Sequence, residues 1–598
     1  MIDNSIRFEL LMDAGNGAQK AGDILIKALA KVGAYVFIEP IIPAEISPPK
    51  RTPYSLSGVV IRISNKEITN IGSDTNFILV EHDILAKKRL SESEYASDCE
   101  ILIETGFEKR TPEGYEEIKD LCANENLTYN PFSIEEEAEL IIKELHGNGK
   151  NMYFLGILSA IFQVNKDDVE ALIKQTFKKL PEAILAKNIN LFRIGMEAAP
   201  KITTTRFTLD LNKADDNEKI LLDGNTALSL GIIDSGIRLF SGYPITPAST
   251  IMHNLARYFP AYGGILHQAE DEISAIGTVL GSYFSGVPAI TATSGPGLSL
   301  KQEFLGLSLS SEIPCLLINV QRGGPSTGLP TRTEQADLLA AAFGSHGDSP
   351  KVVLSVCNVE DCFYVPHVAR YLTEKLKTPV IIMSDYLISV SYRVLDKLTL
   401  NKLDNVDDIM DDILNQFQLG RLPDEIEMVK NNQSIPGEEG KMRRVTGLNT
   451  SAEGNVEYSP KINHRSHKVR NEKLHHVRRA LKLPELMGDD EGDLLIVGWG
   501  SSRGAILESV EILRAKGKKV SGICLKMVYP MSLELTQLFK KFKKVVTVEV
   551  AYGDELKYTG FCTLLRAETL CDVVGLVTDA TGRPLKPNLI VDRAMELV

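Results

Sequence analysis

Near both ends of the chain one order of elements recurs: an apolar run, a glycine-rich turn, an amphipathic helix and a second apolar run. It appears as IRFELLMDAGNGAQKAGDILIKALAKVGAYVF at 6–37 and as LLIVGWGSSRGAILESVEILRAKGKKVSGICL at 494–525. A strand feeding a helix that returns to another strand leaves few solutions, and a doubly wound α/β sheet is the economical one. In the first copy a strand is predicted over Ile6–Leu11. The helix after it puts Ala21, Ile24, Leu25, Ala28, Leu29 and Val32 on one face, and the next strand starts near Ala34, which makes a βαβ unit. Gly15, Gly17 and Gly22 bring the turn close to a ligand or pack the helix tightly. The third glycine of a G-x-G-x-x-G would fall on Lys20, so helix packing is preferred to dinucleotide binding. In the last copy Gly498, Gly500 and Gly504 occupy the turn.

Between the copies lies a third α/β stretch with short apolar strands at Ala289–Thr293, Cys315–Val320 and Val380–Met383, as in a buried parallel sheet. After about Val394 aspartate, asparagine and lysine dominate and apolar periodicity weakens. The expected organisation is an α/β domain over 1–195, a linker over 196–221, a second α/β domain over 222–394, an extended polar connector over 395–490 and a small doubly wound domain over 491–598. Of the 598 residues, 43% are hydrophobic and 24% charged, which fits folded rather than disordered chain. The net charge of −13 argues against nucleic acid or an anionic membrane as partner. The start shows no secretion signal, and MYFLGILSAIF near Met152 is well short of the about 20 residues that span a bilayer. A cytoplasmic location is expected. The eight cysteines form no C-x-x-C pair, so no zinc or iron–sulfur site is read here, and buried reduced thiols are expected.

Two stretches carry chemistry. In SGYPITPAST, Pro244 and Pro247 flank Ile245 and Thr246. Each lacks an N–H and fixes its φ, so the segment is a stiff extended turn that holds the Thr246 hydroxyl in place. In GGILHQAEDEISAIGTVLGSYFSGVPAITATSGPGLSL, the acids Glu270, Asp271 and Glu272 open a helix, where carboxylates also serve simply to offset the helix dipole. No H-E-x-x-H or second clustered ligand joins His267, so no metal site is assigned to this chain. The turn Thr293–Gly297, TSGPG, follows a strand, where open α/β sheets gather ligands. With the acid-bearing helix and the PITP turn it can edge one crevice.

Glu272 followed after about twenty residues by ATSGPG resembles the pyrimidine-binding domain of thiamin diphosphate enzymes. With SGYPITPAS before it and INVQRGGPSTGLPTRTEQADL after it, the chain resembles the 2-oxoacid:ferredoxin oxidoreductases, specifically an α subunit with a fused N-terminal γ domain. The likeness covers nearly the whole length: a γ-type module over roughly the first 190 residues, the pyrimidine domain over 220–394, the family's linker at VTGLNTSAEGNVEYSPKINHRSHKVRNEKL, and a transketolase C-terminal-like domain over 493–598.

The resemblance assigns Glu272 to the aminopyrimidine ring of thiamin diphosphate, with Ser294, Gly295 and Gly297 lining the cofactor. A carboxylate in a water-poor cleft suits that role. Thr246 becomes a preset donor to the oxygens of a 2-oxoacid. Arg332 is the choice for its carboxylate through bidentate bonds, Arg322 is the rival, and a structural role stays open for both. His346 can line the same cleft. Thiamin enzymes hold the diphosphate and Mg²⁺ with a G-D-G and a later Asn, and neither that segment nor cluster cysteines occur here. The resemblance therefore implies a partner β subunit bringing Mg²⁺ and a [4Fe-4S] cluster, with thiamin diphosphate shared between subunits, dimers of αβ units, and ferredoxin and coenzyme A as further partners. The activity implied is oxidative decarboxylation of a 2-oxoacid, 2-oxoglutarate first, then pyruvate or a broad range. The alternatives are a non-catalytic scaffold or regulatory paralogue and an indolepyruvate-type oxidoreductase. GNGAQKAG, AEISPPKRT and VEVAYGDEL depart from the family's usual motifs, which bears on coenzyme A contacts and subunit docking.

Overall fold

The computed structural model describes residues 5–43, 48–91, 95–207, 219–398, 406–555 and 557–598. Residues 44–47 of AEISPPKRT, 208–218 of the expected linker and 556 of VEVAYGDEL lie outside them. The chain divides into two compact units, Met1–Leu221 with Ser391–Lys397, and Leu222–Val390 with Leu398–Val598.

The first unit is built on a mixed sheet. Among the described residues its eight strands run in the order Thr128–Phe132, Tyr95–Glu104, Thr75–Val80, Ile6–Asp13, Leu56–Ser64, Tyr35–Ile41, Tyr392–Asp396 and Lys219–Asp223. The first four are parallel to one another, and the next three alternate antiparallel. The predicted strand–helix–strand unit is present as Ile6–Asp13, the helix Ala18–Lys31 and Tyr35–Ile41. Its two strands are not neighbours, because Leu56–Ser64 lies between them and pairs with both. Nothing local in the sequence marks that insertion, since a strand's partner is set by the whole sheet. The turn glycines pack as expected: Gly17 sits in the left-handed region against Asn151, and a Cβ on Gly22 would lie 2.8 Å from Val59 Cγ2. At the carboxyl ends of the parallel strands Lys150 bridges Glu81 at 3.1 Å and Glu104 at 3.3 Å.

The second unit holds two sheets. One orders Met527–Tyr529, Val352–Ser355, Pro379–Asp385, Cys315–Gln321, Ala289–Thr293, Leu239–Gly242 and Ile265–Gln268. All of its pairings are parallel except that of Met527–Tyr529. The other orders Val520–Leu525, Gly492–Trp499, Phe542–Val548 and Val573–Val577, all parallel.

The polar stretch that precedes the last sheet is tied down at one residue. Glu312, the C-cap of helix Gly295–Ser311, is fully buried. It accepts from Lys473 Nζ at 2.7 Å, from the backbone N–H groups of Val429 and Lys430 at 2.9 and 3.0 Å, and from Gln433 Nε2 at 3.2 Å. Lys473 comes from the long helix Pro460–Ala480. No helix of the described residues is long and apolar enough to cross a membrane.

Candidate active site

Because the strands Leu239–Gly242, Ile265–Gln268, Ala289–Thr293 and Cys315–Gln321 are parallel, their carboxyl ends lie on one edge. The four loops leaving that edge carry Thr246, Glu272, the Ser294–Gly297 turn and Arg322. Parallel strands thus gather residues scattered over some eighty positions.

Asp271 and Glu272 divide the work of one helix start. Asp271 is the N-cap of helix Glu272–Phe284, its carboxylate accepting from Ser274 N–H at 2.7 Å. Glu270 is exposed. Glu272 is only 8% exposed, yet its carboxylate has no hydrogen-bond partner in this chain among the described residues. It lies against Gly297, where a Cβ would come within 2.8 Å of Glu272 Cγ and 1.9 Å of Thr293 Oγ1. Any side chain at 297 would displace the carboxylate, so the glycine is what lets an acid press against the turn.

The PITP turn is held from behind. Arg322 Nη1 donates to the Thr246 carbonyl at 2.7 Å, and Asn225 Nδ2 donates to the Pro247 carbonyl at 2.9 Å. The Thr246 side chain itself is exposed and has no partner among the described residues. Burial pulls the Arg322 guanidinium down, against the opposing effect of Asp337. Asp337 in turn stands beside Gly295, whose Cβ would lie 2.9 Å from its Oδ2, and accepts from Asn319 Nδ2 at 2.9 Å. Arg322 thus holds the Thr246 backbone directly and feels the charge of Asp337, which stands beside Gly295 at the start of the turn that carries Gly297.

Arg332 is half-buried in the loop that leaves Arg322 and folds back on itself. Gly323 N–H donates to its carbonyl at 3.2 Å, and Leu329 N–H donates to the Gly323 carbonyl at 2.9 Å. Both arginines thus sit at one neck. Arg322 holds the Thr246 backbone, and Arg332 Nη1 donates to the Thr331 carbonyl at 3.0 Å. His346 is exposed, and His267 Nδ1 pairs with Ser241 Oγ at 3.0 Å.

Three residues escaped the sequence reading. Asp337 is a half-buried carboxyl whose pKa desolvation raises above the usual value, against the lowering effect of Asn319 and Arg322. Gln335 donates to the Trp499 carbonyl at 2.8 Å and accepts from Val550 N–H at 3.0 Å, pinning the Arg332 loop to the four-stranded sheet. Lys301, on the helix that begins at Gly295, is fully buried, and its Nζ has no hydrogen-bond partner among the described residues. Burial brings it down to about 8, with Glu272 the foremost charge acting the other way. Its unfolded value of 10.5 lies above its folded one, so the native state binds fewer protons in that window. Stability is therefore expected to rise from about pH 8 to 10.5, by about 3 kcal/mol from this group. Lys301→Met should remove that share of the rise and leave the protein more stable at pH 7, as pH-dependent denaturant melts would show.

Two family models match, one described as pyruvate ferredoxin/flavodoxin oxidoreductase over residues 13–198 and one as pyruvate flavodoxin/ferredoxin oxidoreductase, thiamin diphosphate-binding, over residues 231–459. A relative from Mycobacterium tuberculosis named 2-oxoglutarate oxidoreductase subunit KorA is 31% identical, covering 96% of this chain and 90% of its own. The 2-oxoacid:ferredoxin oxidoreductase subunit alpha of Saccharolobus solfataricus is 33% identical over 57% of each chain. A solved 2-oxoglutarate:ferredoxin oxidoreductase from Magnetococcus marinus, with 2-oxoglutarate, coenzyme A and succinyl-CoA bound, superposes with a TM-score of 0.82 at 29% identity over 99% of both chains. The motifs, the gathered loops and these matches agree, and the chain belongs to the 2-oxoacid:ferredoxin oxidoreductases as an α subunit with a fused N-terminal γ-type domain.

Proposed function

We propose that this chain supplies the aminopyrimidine side of a thiamin diphosphate site in an enzyme that decarboxylates 2-oxoglutarate oxidatively to an acyl-coenzyme A, with ferredoxin as electron acceptor. The observation that carries this is Glu272, a nearly buried carboxylate without a hydrogen-bond partner among the described residues, laid against Gly297. Such a group fits a ring nitrogen brought from outside the chain, and Ser294, Gly295 and Gly297 would hold that ring. When bound, the cofactor supplies a carbon nucleophile and an electron sink. Glu272 holds the proton shared with the ring and keeps water from it, and an acid confined to a low-dielectric cleft does this best. Thr246 offers its hydroxyl to a substrate oxygen from a backbone that Arg322 has already fixed, so little reorganisation accompanies charge development. Arg332 orients the substrate carboxylate.

A β subunit would bring the diphosphate, Mg²⁺ and cluster sites. One feature supports a partner at this edge: Tyr243, Ile265, Ile273 and Leu300 are exposed on the segments around Glu272. The names of the relatives favour 2-oxoglutarate as substrate. Co-purification with a β subunit should give tight thiamin diphosphate binding and 2-oxoglutarate-dependent ferredoxin reduction, with a higher kcat/KM than for pyruvate, whereas the chain alone should retain neither cofactor nor iron. A stoichiometric cluster in the isolated chain, or a preference for pyruvate, would refute the assignment.

A further inference from the structure

In the second unit a cavity of about 610 Å³ opens whose lining includes none of Thr246, Glu272, Arg322 or Arg332, among Asn358, Gln418, Lys482, Glu485, Arg503 and Lys526. It lies past the carboxyl ends of Val352–Ser355, Gly492–Trp499 and Val520–Leu525, which belong to two different sheets, the position where α/β proteins collect ligands. Its lining carries three cations, Lys482, Arg503 and Lys526, against three carboxylates, Glu360, Asp361 and Glu485, so there is no excess of charge, but the cations are not equally paired. Lys526 is satisfied by Asp361 at 2.6 Å. Lys482 reaches only the neutral Asn415 Oδ1 at 2.6 Å. Arg503 has a half-buried guanidinium whose one ion-pair partner among the described residues is Glu485, loose at 3.8 Å and with its side chain 80% exposed. A carboxylate so solvated is screened, while the arginine beside the cavity is not. Asn358, Asn415, Gln416 and Gln418 add amides to the same lining.

We propose that the cavity binds a small polar metabolite through an oxyanion, carboxylate or phosphate, held by Arg503 with support from Lys482. A guanidinium fork suits both, and the amides suit hydroxyl or amide groups on the rest of the molecule. The occupant would sit near the loop that carries Arg332. Arg503 is two residues from Ser501, whose N–H donates to Asp385 Oδ2 at 3.2 Å, and Asp385 Oδ1 accepts from Thr333 at 3.3 Å.

Calorimetric titration of the full chain with inorganic phosphate and, separately, citrate tests this. At least one should bind with a Kd below about 10 mM, and which one does distinguishes a phosphate from a carboxylate ligand. Arg503→Gln should weaken binding about tenfold or more. Gln418→Glu, which adds a negative charge to the cavity and leaves the arginine in place, should do the same and decides the matter if the first variant does not fold. Arg332→Ala should leave the affinity unchanged. Failure of both anions to bind, binding that survives both cavity variants, or binding lost in Arg332→Ala would overturn the proposal.

Discussion

Glu272→Gln is expected to lower turnover of the assembled enzyme by roughly 10²- to 10⁴-fold, the usual contribution of a positioned acid–base group. Glutamine keeps the shape and a hydrogen-bonding oxygen but can neither give nor take the proton. Because Glu272 forms no hydrogen bond within the chain, the change should leave the melting temperature close to that of the parent. The loss should appear in kcat and kcat/KM together, since the interaction removed acts in the transition state rather than in substrate binding. Single-turnover ferredoxin reduction measures it. Turnover equal to the parent's would take Glu272 out of the chemistry and turn attention to a non-catalytic scaffold.

For stability the largest single effect is expected at Glu312. Removing one member of a buried ion pair strands the other and typically costs 3–5 kcal/mol. Glu312→Ala strands Lys473 together with the Val429 and Lys430 N–H groups. Combining it with Lys473→Met should recover part of the loss, because the orphaned ammonium is then gone. Burial alone would raise the Glu312 carboxyl, but Lys473 and the N–H donors more than offset this and hold it below 4.5. The depressed value means that the contribution is complete above pH 4.5 and disappears as pH falls through the lower folded value. Chemical denaturation of parent and variants at neutral and acid pH should show the gap closing in acid.

What the sequence showed and what it hid divide along the range of the interaction. The TSGPG and PITP turns are local events, set by proline and glycine within a few residues, and they lie where expected. Gln335 is different: its partners, Trp499 and Val550, are 164 and 215 positions away, and no pattern around TRTEQ announces them. Arg322 is the rival to Arg332 for the substrate carboxylate with a structural role open, and the backbone carbonyl that its Nη1 reaches belongs to a residue 76 positions earlier. Helix Pro460–Ala480 was hard to see for another reason. Its buried stripe is Ser466, Val469, Lys473, Leu474 and Val477. The spacing is helical, but a serine and a lysine occupy places where periodicity looks for apolar side chains. The lysine is there because its partner is Glu312, and that partner can be known only from the fold.

Helix Gly295–Ser311 has Gly295 and Gly297 in its first turn and Glu312 just past its last residue, about 26 Å away at 1.5 Å per residue. It therefore acts as a lever with its far end gripped by the polar tract. Nicking that tract with a protease, or crowding it with a docking protein, would loosen the grip and shift the pose of Gly297, although neither event touches the cleft.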